Sequence, residues 1–186
     1  MRKILAWLTN PPINAPSSTV LLRLMAGGVF LWEGILKFVY ANQGIGRFTK
    51  LGIPLPHFTA DFVACLEIVG GVLLLSGFLT RMVSIPFLIE MIVAILSTKI
   101  SLYLGTSPLP LPVAPPQVGI WAVLHEVRSE YAQLLTVAFV MINGPGRWSL
   151  DALFSKSGLG EGRERGLFQT AAVSRRNESA NASVMV

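Results

Sequence analysis

The sequence is poor in charged residues and in cysteine. Only 13 % of its 186 residues are Asp, Glu, Lys or Arg, whereas 52 % are hydrophobic. Because a typical soluble domain has about 25 % charged residues, this composition favours a chain that lies in a lipid bilayer. The single cysteine, Cys65, excludes an internal disulfide and also a zinc or iron–sulfur site built from cysteines of this chain alone.

Histidines and familiar catalytic motifs are also scarce. The two histidines, His57 and His125, lie outside the long apolar runs, so we do not expect a haem held by two histidines inside the membrane. The sequence has no glycine-rich phosphate loop, no Ser-His-Asp arrangement and no paired-cysteine motif. We therefore predict no catalytic residue, no metal ligand and no cofactor bound by this chain alone.

The abundant apolar residues are gathered into runs long enough to cross hydrocarbon. The four predicted membrane helices cover residues 18–41, 61–80, 82–104 and 126–143. The fourth reaches about 27 Å only if it includes the polar residues 126–130. Before it, the prolines in residues 105–117 predict an extended loop, and residues 118–124 are predicted to form an interfacial segment. The predicted fold is all-α, an integral membrane four-helix bundle over residues 18–154.

Positive charge is unevenly divided between the two predicted faces of this bundle. Four spans put both termini on one face, and that face has nine Lys and Arg residues against three on the other. By the positive-inside rule the termini are cytoplasmic, so orientation, not nucleic-acid binding, explains the net charge of +5. Residues 1–17 are then a cytoplasmic N-terminal segment, and residues 155–186 are a polar, mobile cytoplasmic tail.

Several ionisable residues interrupt the predicted spans. A charged side chain costs about 2.5–3.5 kcal/mol at the centre of a membrane helix, so such residues normally pair with one another or face the bundle. Helical spacing places the two cations of the first span on the same face as Gly27 and Gly34. The predicted intramembrane polar site consists of Arg23, Glu33, Lys37, Glu67 and Glu90.

The helix lengths give each of these residues a depth. Glu33 and Glu67 are expected to occupy nearly one layer. Lys37 follows Glu33 by one turn, so we expect it to pair with Glu33 and to bridge to Glu67. Glu90 is expected nearer the cytoplasm, where it would need an arginine as its partner. The candidates for that partner are Arg23 and Arg81.

Two interpretations of the polar site stay open. In the first, its residues are structural pairs that fix the register of the helices. In the second, Glu33, Lys37 and Glu67 carry protons or bind a quinone headgroup, because a desolvated carboxyl group near a cation can exchange protons. Lys99 and Arg47 are expected to extend towards water and to form no site.

A spaced set of glycines and charged residues runs through the chain and ends in a short motif. The motif, residues 144–151, reads Gly-Pro-Gly-Arg-Trp-Ser-Leu-Asp, and we call it the closing motif. Together with the earlier set it resembles the DoxX family of small membrane proteins, over about residues 20–153. The earlier set is Arg23, Gly27, Gly34, Lys37, Glu67, Gly70, Gly71, Leu75, Gly77 and Arg81.

The closing motif predicts how the fourth helix ends. Gly144 and Gly146 would stop the helix. Arg147 would sit at its C-terminus, which favours a cation, with Asp151 as a local partner. Together with Arg81, these two residues form a predicted motif on the cytoplasmic face.

The resemblance also implies a location and a function. The DoxX family is named for a small subunit of a terminal quinol oxidase, so the resemblance implies a multi-pass protein of a bacterial-type inner membrane. It further implies an accessory subunit of a quinone-linked oxidoreductase complex, more than a stand-alone enzyme, with the lipid bilayer and redox-enzyme subunits as partners. A small proton-coupled transporter, a structural membrane scaffold and a homo-oligomer stay open as alternatives.

Overall fold

The computed structural model describes residues 7–8 and 15–154, and this part of the chain is helical, without a strand. The prediction of an all-α fold is thus confirmed. The compact unit that contains the bundle ends at Asp151. Most of the predicted N-terminal segment and the whole predicted tail lie outside the described residues. The helices are α1 Thr19–Val39, α2 Ile45–Lys50, α3 Pro56–Ser76, α4 Thr80–Leu104, α5 Ile120–Glu126 and α6 Arg128–Asn143.

Three of these helices, α1, α3 and α4, are long and apolar enough to cross a membrane. The fourth predicted span takes a different form. Its main part, α6, has 16 residues, or about 24 Å, and only Val127 separates it from α5. The N–H of Val127 donates to Val123 O at 2.9 Å, and the N–H of Tyr131 donates to Val127 O at 2.8 Å. Backbone hydrogen bonding therefore continues from α5 into α6.

Several helices begin or end at other residues than the predicted spans, and the differences have local causes. The second span starts at Pro56 and not at residue 61, because proline lacks an N–H and fits the first turn of a helix. Thr80 and Arg81 are the first residues of α4; the predicted span began after them. The predicted loop after α1 contains the short helix α2, and α5 occupies most of the predicted interfacial segment.

Glycines bring α1 and α3 into close contact. A Cβ atom added to Gly27 would lie 2.9 Å from Gly71 O, and one added to Gly71 would lie 2.8 Å from Gly27 O. Two turns further along, a Cβ atom on Gly34 would lie 2.8 Å from Ala64 O. Such approach of two backbones is typical of small residues in membrane helices. The glycine-bearing sides of α1 and α3 face each other, as predicted.

An apolar core joins α4 and α6 to this pair. The rings of Phe30 on α1 and Phe87 on α4 are stacked, with centroids 3.7 Å apart. Leu74, Val83 and Val137 are buried around them. On the outside, many large apolar side chains are about half exposed or more. A bilayer, not water, is the solvent that suits such a surface.

Candidate functional site

The centre of the bundle contains an ion pair between α1 and α3. Lys37 Nζ donates to Glu67 Oε2 at 2.5 Å. Glu67 is only 3 % exposed, and a buried carboxylate is stable only when it is paired and hydrogen-bonded. Gly34 gives it room, because a Cβ atom at that position would lie 2.9 Å from Glu67 Cβ. The same glycine that lets the helices approach therefore lets the ion pair form.

Glu90 on α4 completes the site. Its carboxyl group lies within hydrogen-bonding reach of the carboxyl group of Glu67. Two carboxylates in contact cannot both be ionised at low cost, so one of the two must keep a proton and donate it. The Oε2 atom of Glu90 is buried without a hydrogen-bond partner within the part of the chain that the structure describes. We call the chain Lys37–Glu67–Glu90, drawn from three helices, the carboxyl cluster.

The sequence-based depth assignment placed Glu90 wrongly. Glu67 lies nine residues before Ser76, the last residue of α3, and Glu90 lies ten residues after Thr80, the first residue of α4. At about 1.5 Å per residue, both are about 14–15 Å from the same end of the bundle. The missed first turns of α3 and α4 had shifted the two acids apart, so the prediction that Glu90 needs an arginine is wrong.

Glu33 is close to the cluster but does not pair with Lys37. Its carboxylate is near enough to Glu67 to interact with it electrostatically. Among the described residues, the ion pair of Lys37 is with Glu67. The predicted bridge from Lys37 to Glu67 is therefore present. The predicted pair between Lys37 and Glu33, one turn earlier on α1, is not formed among the described residues.

Arg23 belongs to the other end of α1. It is 2 % exposed, and its Nη2 donates to the carbonyl oxygen of Trp148 in the closing motif. Asp151 interacts with it electrostatically. Gly77 makes this possible, because a Cβ atom there would collide with Arg23 Nη1. Arg23 is therefore buried in α1 apart from the carboxyl cluster, and its contacts are with the closing motif.

Asp151 caps the start of α4. Its Oδ1 accepts from the N–H of Leu79 at 2.9 Å, and its Oδ2 accepts from the N–H and the hydroxyl of Thr80 at 3.1 and 2.8 Å. A carboxylate satisfies the free N–H groups at a helix N-terminus and is favoured by the helix dipole. Arg147, its predicted partner, is exposed. Asp151 therefore serves α4, and its predicted pairing with Arg147 is wrong.

Arg81 occupies the position that the sequence suggested for Arg147. Its Nε donates to Met141 O and its Nη2 to Ile142 O, both at 2.9 Å, at the C-terminal end of α6. Its Nη1 donates to Trp7 O at 3.0 Å, and the guanidinium lies 4.2 Å from the centre of the Trp7 ring. A cation at a helix C-terminus is favourable, and here it is supplied by the neighbouring helix.

A second ion pair escaped the sequence analysis. Lys99 Nζ on α4 lies 2.9 Å from Glu130 Oε1 on α6. The expectation that Lys99 extends towards water is therefore wrong. From the sequence, Glu130 is predicted only as part of the polar turn that lengthens the fourth span. One sequence feature could have predicted this pair. Lys99 and Glu130 both lie near the face of the bundle opposite the two termini, where a buried cation needs an acidic partner.

Comparisons with known proteins identify the family of the chain. The DoxX family profile matches residues 18–100, which contain the whole carboxyl cluster. A protein of Mycobacterium tuberculosis, named as an uncharacterized membrane protein, is 42 % identical over 149 residues, which cover 77 % of this chain and 85 % of the relative. The chain belongs to the DoxX family.

A second relative of this DoxX protein has a more specific name. CatD of Bacillus subtilis, named as a candidate oxidoreductase, is 38 % identical over 82 residues, which cover 44 % of this chain and 60 % of CatD. No solved structure matches the chain significantly. Within the described residues of this DoxX protein, no group of three His, Cys, Asp or Glu residues could hold a metal ion.

Proposed function

We propose that this DoxX protein is a membrane subunit of a quinone-linked oxidoreductase complex and that its carboxyl cluster exchanges protons for the reaction. The observation that carries the proposal is the contact between Glu67 and Glu90 beside Lys37. Carboxyl groups held in a desolvated site near a cation are suited to proton exchange. The name of CatD, a candidate oxidoreductase, supports the same class of function.

The donor set of the cluster fits a quinone headgroup. A quinone offers two carbonyl oxygens as acceptors, and its reduction to a quinol takes up two protons and two electrons. The Lys37 ammonium would hydrogen-bond one carbonyl oxygen, and the Glu67–Glu90 pair would hold a proton beside it. Lys37 and Glu33 are partly exposed, whereas Glu67 is buried, so an approach from the lipid side of α1 would meet Lys37 and Glu33 first. The electrons would come from a partner subunit.

Purification from the native host tests this proposal. The tagged full chain is solubilised in a mild detergent, and the copurified fraction is examined for flavin or haem absorbance and for quinone reduction. Glu67→Gln is expected to retain the partner but to lower the quinone-linked rate by at least about 100-fold, the usual loss for a general acid–base group. Glu130→Gln, which breaks the other ion pair, serves as the matched control.

The outcomes separate the proposal from its alternatives. Absence of a redox-active partner, or an unchanged rate in Glu67→Gln, would refute it. The cluster also suits a proton-coupled transporter, because the buried Glu90 Oε2 has no hydrogen-bond partner among the described residues and could bind a proton or a polar substrate. Substrate uptake by the isolated protein in liposomes, driven by a pH gradient, would favour that candidate. A structural scaffold predicts that Glu67→Gln loses stability instead of activity.

A further inference from the structure

A cavity of about 300 Å³ opens at the end of the bundle away from the closing motif. Its walls come from the turn before α2, from α2 itself, from the last turns of α4, from the proline-rich loop and from the end of α5. This volume is at the lower limit of ordinary small-molecule sites. The cavity is separate from the carboxyl cluster, and the proposed function does not use it.

Positive charge dominates the lining. Arg47 and Lys50 lie three residues apart in the last turn of α2 and therefore on one side of it. Neither forms an ion pair with a carboxylate within residues 7–8 and 15–154. Lys99, 9 % exposed, lines the cavity from α4 and is already paired with Glu130. The two cations of α2 are thus available for a ligand.

Neutral donors and one acid complete the lining. Asn42 and Gln43, which carry side-chain amides, line the same cavity as Arg47 and Lys50. Arginine, lysine and amide N–H groups together form a typical set of donors for phosphate oxygens. Glu126, on the wall from α5, would repel a bare anion but would attract an ammonium group linked to a phosphate.

We propose that this cavity binds a phosphate group, carried either by a phospholipid headgroup or by a soluble phosphate compound. The position of the cavity relates it to the membrane surface. Tyr103, near the end of α4, and Trp121, on α5, are 53 % and 71 % exposed at this end of the bundle. Tyrosine and tryptophan are enriched at the level of lipid headgroups, so a headgroup would be within reach of the cavity.

Calorimetric titration of the purified full chain in a neutral detergent tests the proposal. Three probes are titrated separately: inorganic phosphate, dihexanoyl phosphatidylglycerol and dihexanoyl phosphatidylethanolamine. The double variant Arg47→Gln, Lys50→Gln is expected to bind the recognised probe at least about tenfold more weakly, since two charged donors are lost. Arg128→Gln is the matched control, because Arg128 is exposed at the same end of the protein but does not line the cavity.

Each outcome has a defined meaning. Binding of the short-chain lipids but not of phosphate identifies a headgroup site, and binding of phosphate with the same dependence on Arg47 and Lys50 identifies a site for soluble compounds. Glu126→Gln should strengthen binding of phosphatidylglycerol and weaken binding of phosphatidylethanolamine. If no probe binds, or if Arg128→Gln weakens binding as much as the double variant, the proposal is refuted. The charge-conserving variant Lys50→Arg, which should still bind, covers the case in which the double variant fails to fold.

Discussion

The hydroxyl of Thr80 donates to the carboxylate of Asp151 at 2.8 Å, and the backbone N–H of Thr80 donates to the same oxygen at 3.1 Å. Asp151 closes the motif that follows α6, and Thr80 opens α4. Both side chains are buried. These hydrogen bonds attach the closing motif to the N-terminus of α4. The segment that follows α6 therefore stabilises the first turn of α4.

Replacement of Asp151 should therefore weaken α4 at its start. Asp151→Ala is expected to lower the free energy of unfolding by about 1–2 kcal/mol, because three hydrogen bonds are lost at a helix N-terminus. Asp151→Asn, which keeps one acceptor oxygen, should cost less. Thermal unfolding in detergent, followed by circular dichroism, measures both. Arg147→Gln should change stability by no more than about 0.5 kcal/mol, and an equal effect of Arg147→Gln and Asp151→Ala would contradict the cap.

Two neighbouring glycines of α1 allow a matched test of the contact with α3. Gly27→Ala is expected to lower the free energy of unfolding by about 1–3 kcal/mol, because the added Cβ would lie 2.9 Å from a backbone oxygen of α3. Gly28→Ala should be neutral or stabilising, since its Cβ would meet only the Trp32 ring at 3.5 Å and alanine favours the helix. Similar losses in both variants would mean that α1 and α3 are not packed in this register.

Arg81 and Trp7 should be energetically coupled. In Arg81→Lys, a single ammonium group replaces the planar guanidinium with its several N–H donors. The ammonium cannot hydrogen-bond both α6 carbonyls and Trp7 at once. We expect a loss of about 1–3 kcal/mol in stability. Trp7→Ala should cost about 0.5–2 kcal/mol for the cation–π contact, and the double variant should lose less than the sum of the single losses. Additive losses in a double-mutant cycle would show that the two residues do not interact.

The ion pair at the centre can be tested by removing one partner and then both. Lys37→Met leaves the Glu67 carboxylate without its cation and is expected to destabilise the protein by about 3–5 kcal/mol, the usual cost of breaking a buried ion pair. The double variant Lys37→Met, Glu67→Gln removes both charges but keeps an acceptor oxygen for Glu90, and it should recover most of that loss. Unfolding in increasing concentrations of a denaturing detergent compares the variants. If the double variant is less stable than Lys37→Met, the pair does not contribute in this way.

The sequence indicates which residues form the polar site better than it indicates which of them are in contact. Hydrophobic runs, glycine spacing and the rarity of intramembrane charges were enough to predict an all-α membrane bundle and to single out Lys37, Glu67 and Glu90. Pairing depends on the rotation of each helix about its axis and on the residue at which it starts. A missed turn at Pro56 moved Glu67 away from Glu90, although the two are in contact.

The closing motif shows a second limit of pattern reading. The motif predicted Asp151 as a local partner of Arg147, because the two residues are close in sequence. Gly144 and Gly146 adopt positive φ angles and redirect the chain after α6. Asp151 therefore reaches Thr80, and the buried Arg23 reaches the backbone of Trp148. Contacts between residues so distant in sequence leave no periodic signal along the chain.

The central claim is that Glu67 and Glu90 are in contact in the bundle and hold one proton between them. Infrared difference spectroscopy of the purified protein, before and after transfer to deuterated buffer, detects the C=O stretch of protonated carboxyl groups. We predict one such band that disappears in Glu90→Gln, is shifted or lost in Glu67→Gln, and is unchanged in Glu130→Gln. A wild-type protein without this band, or a band that is independent of both residues, would contradict the account.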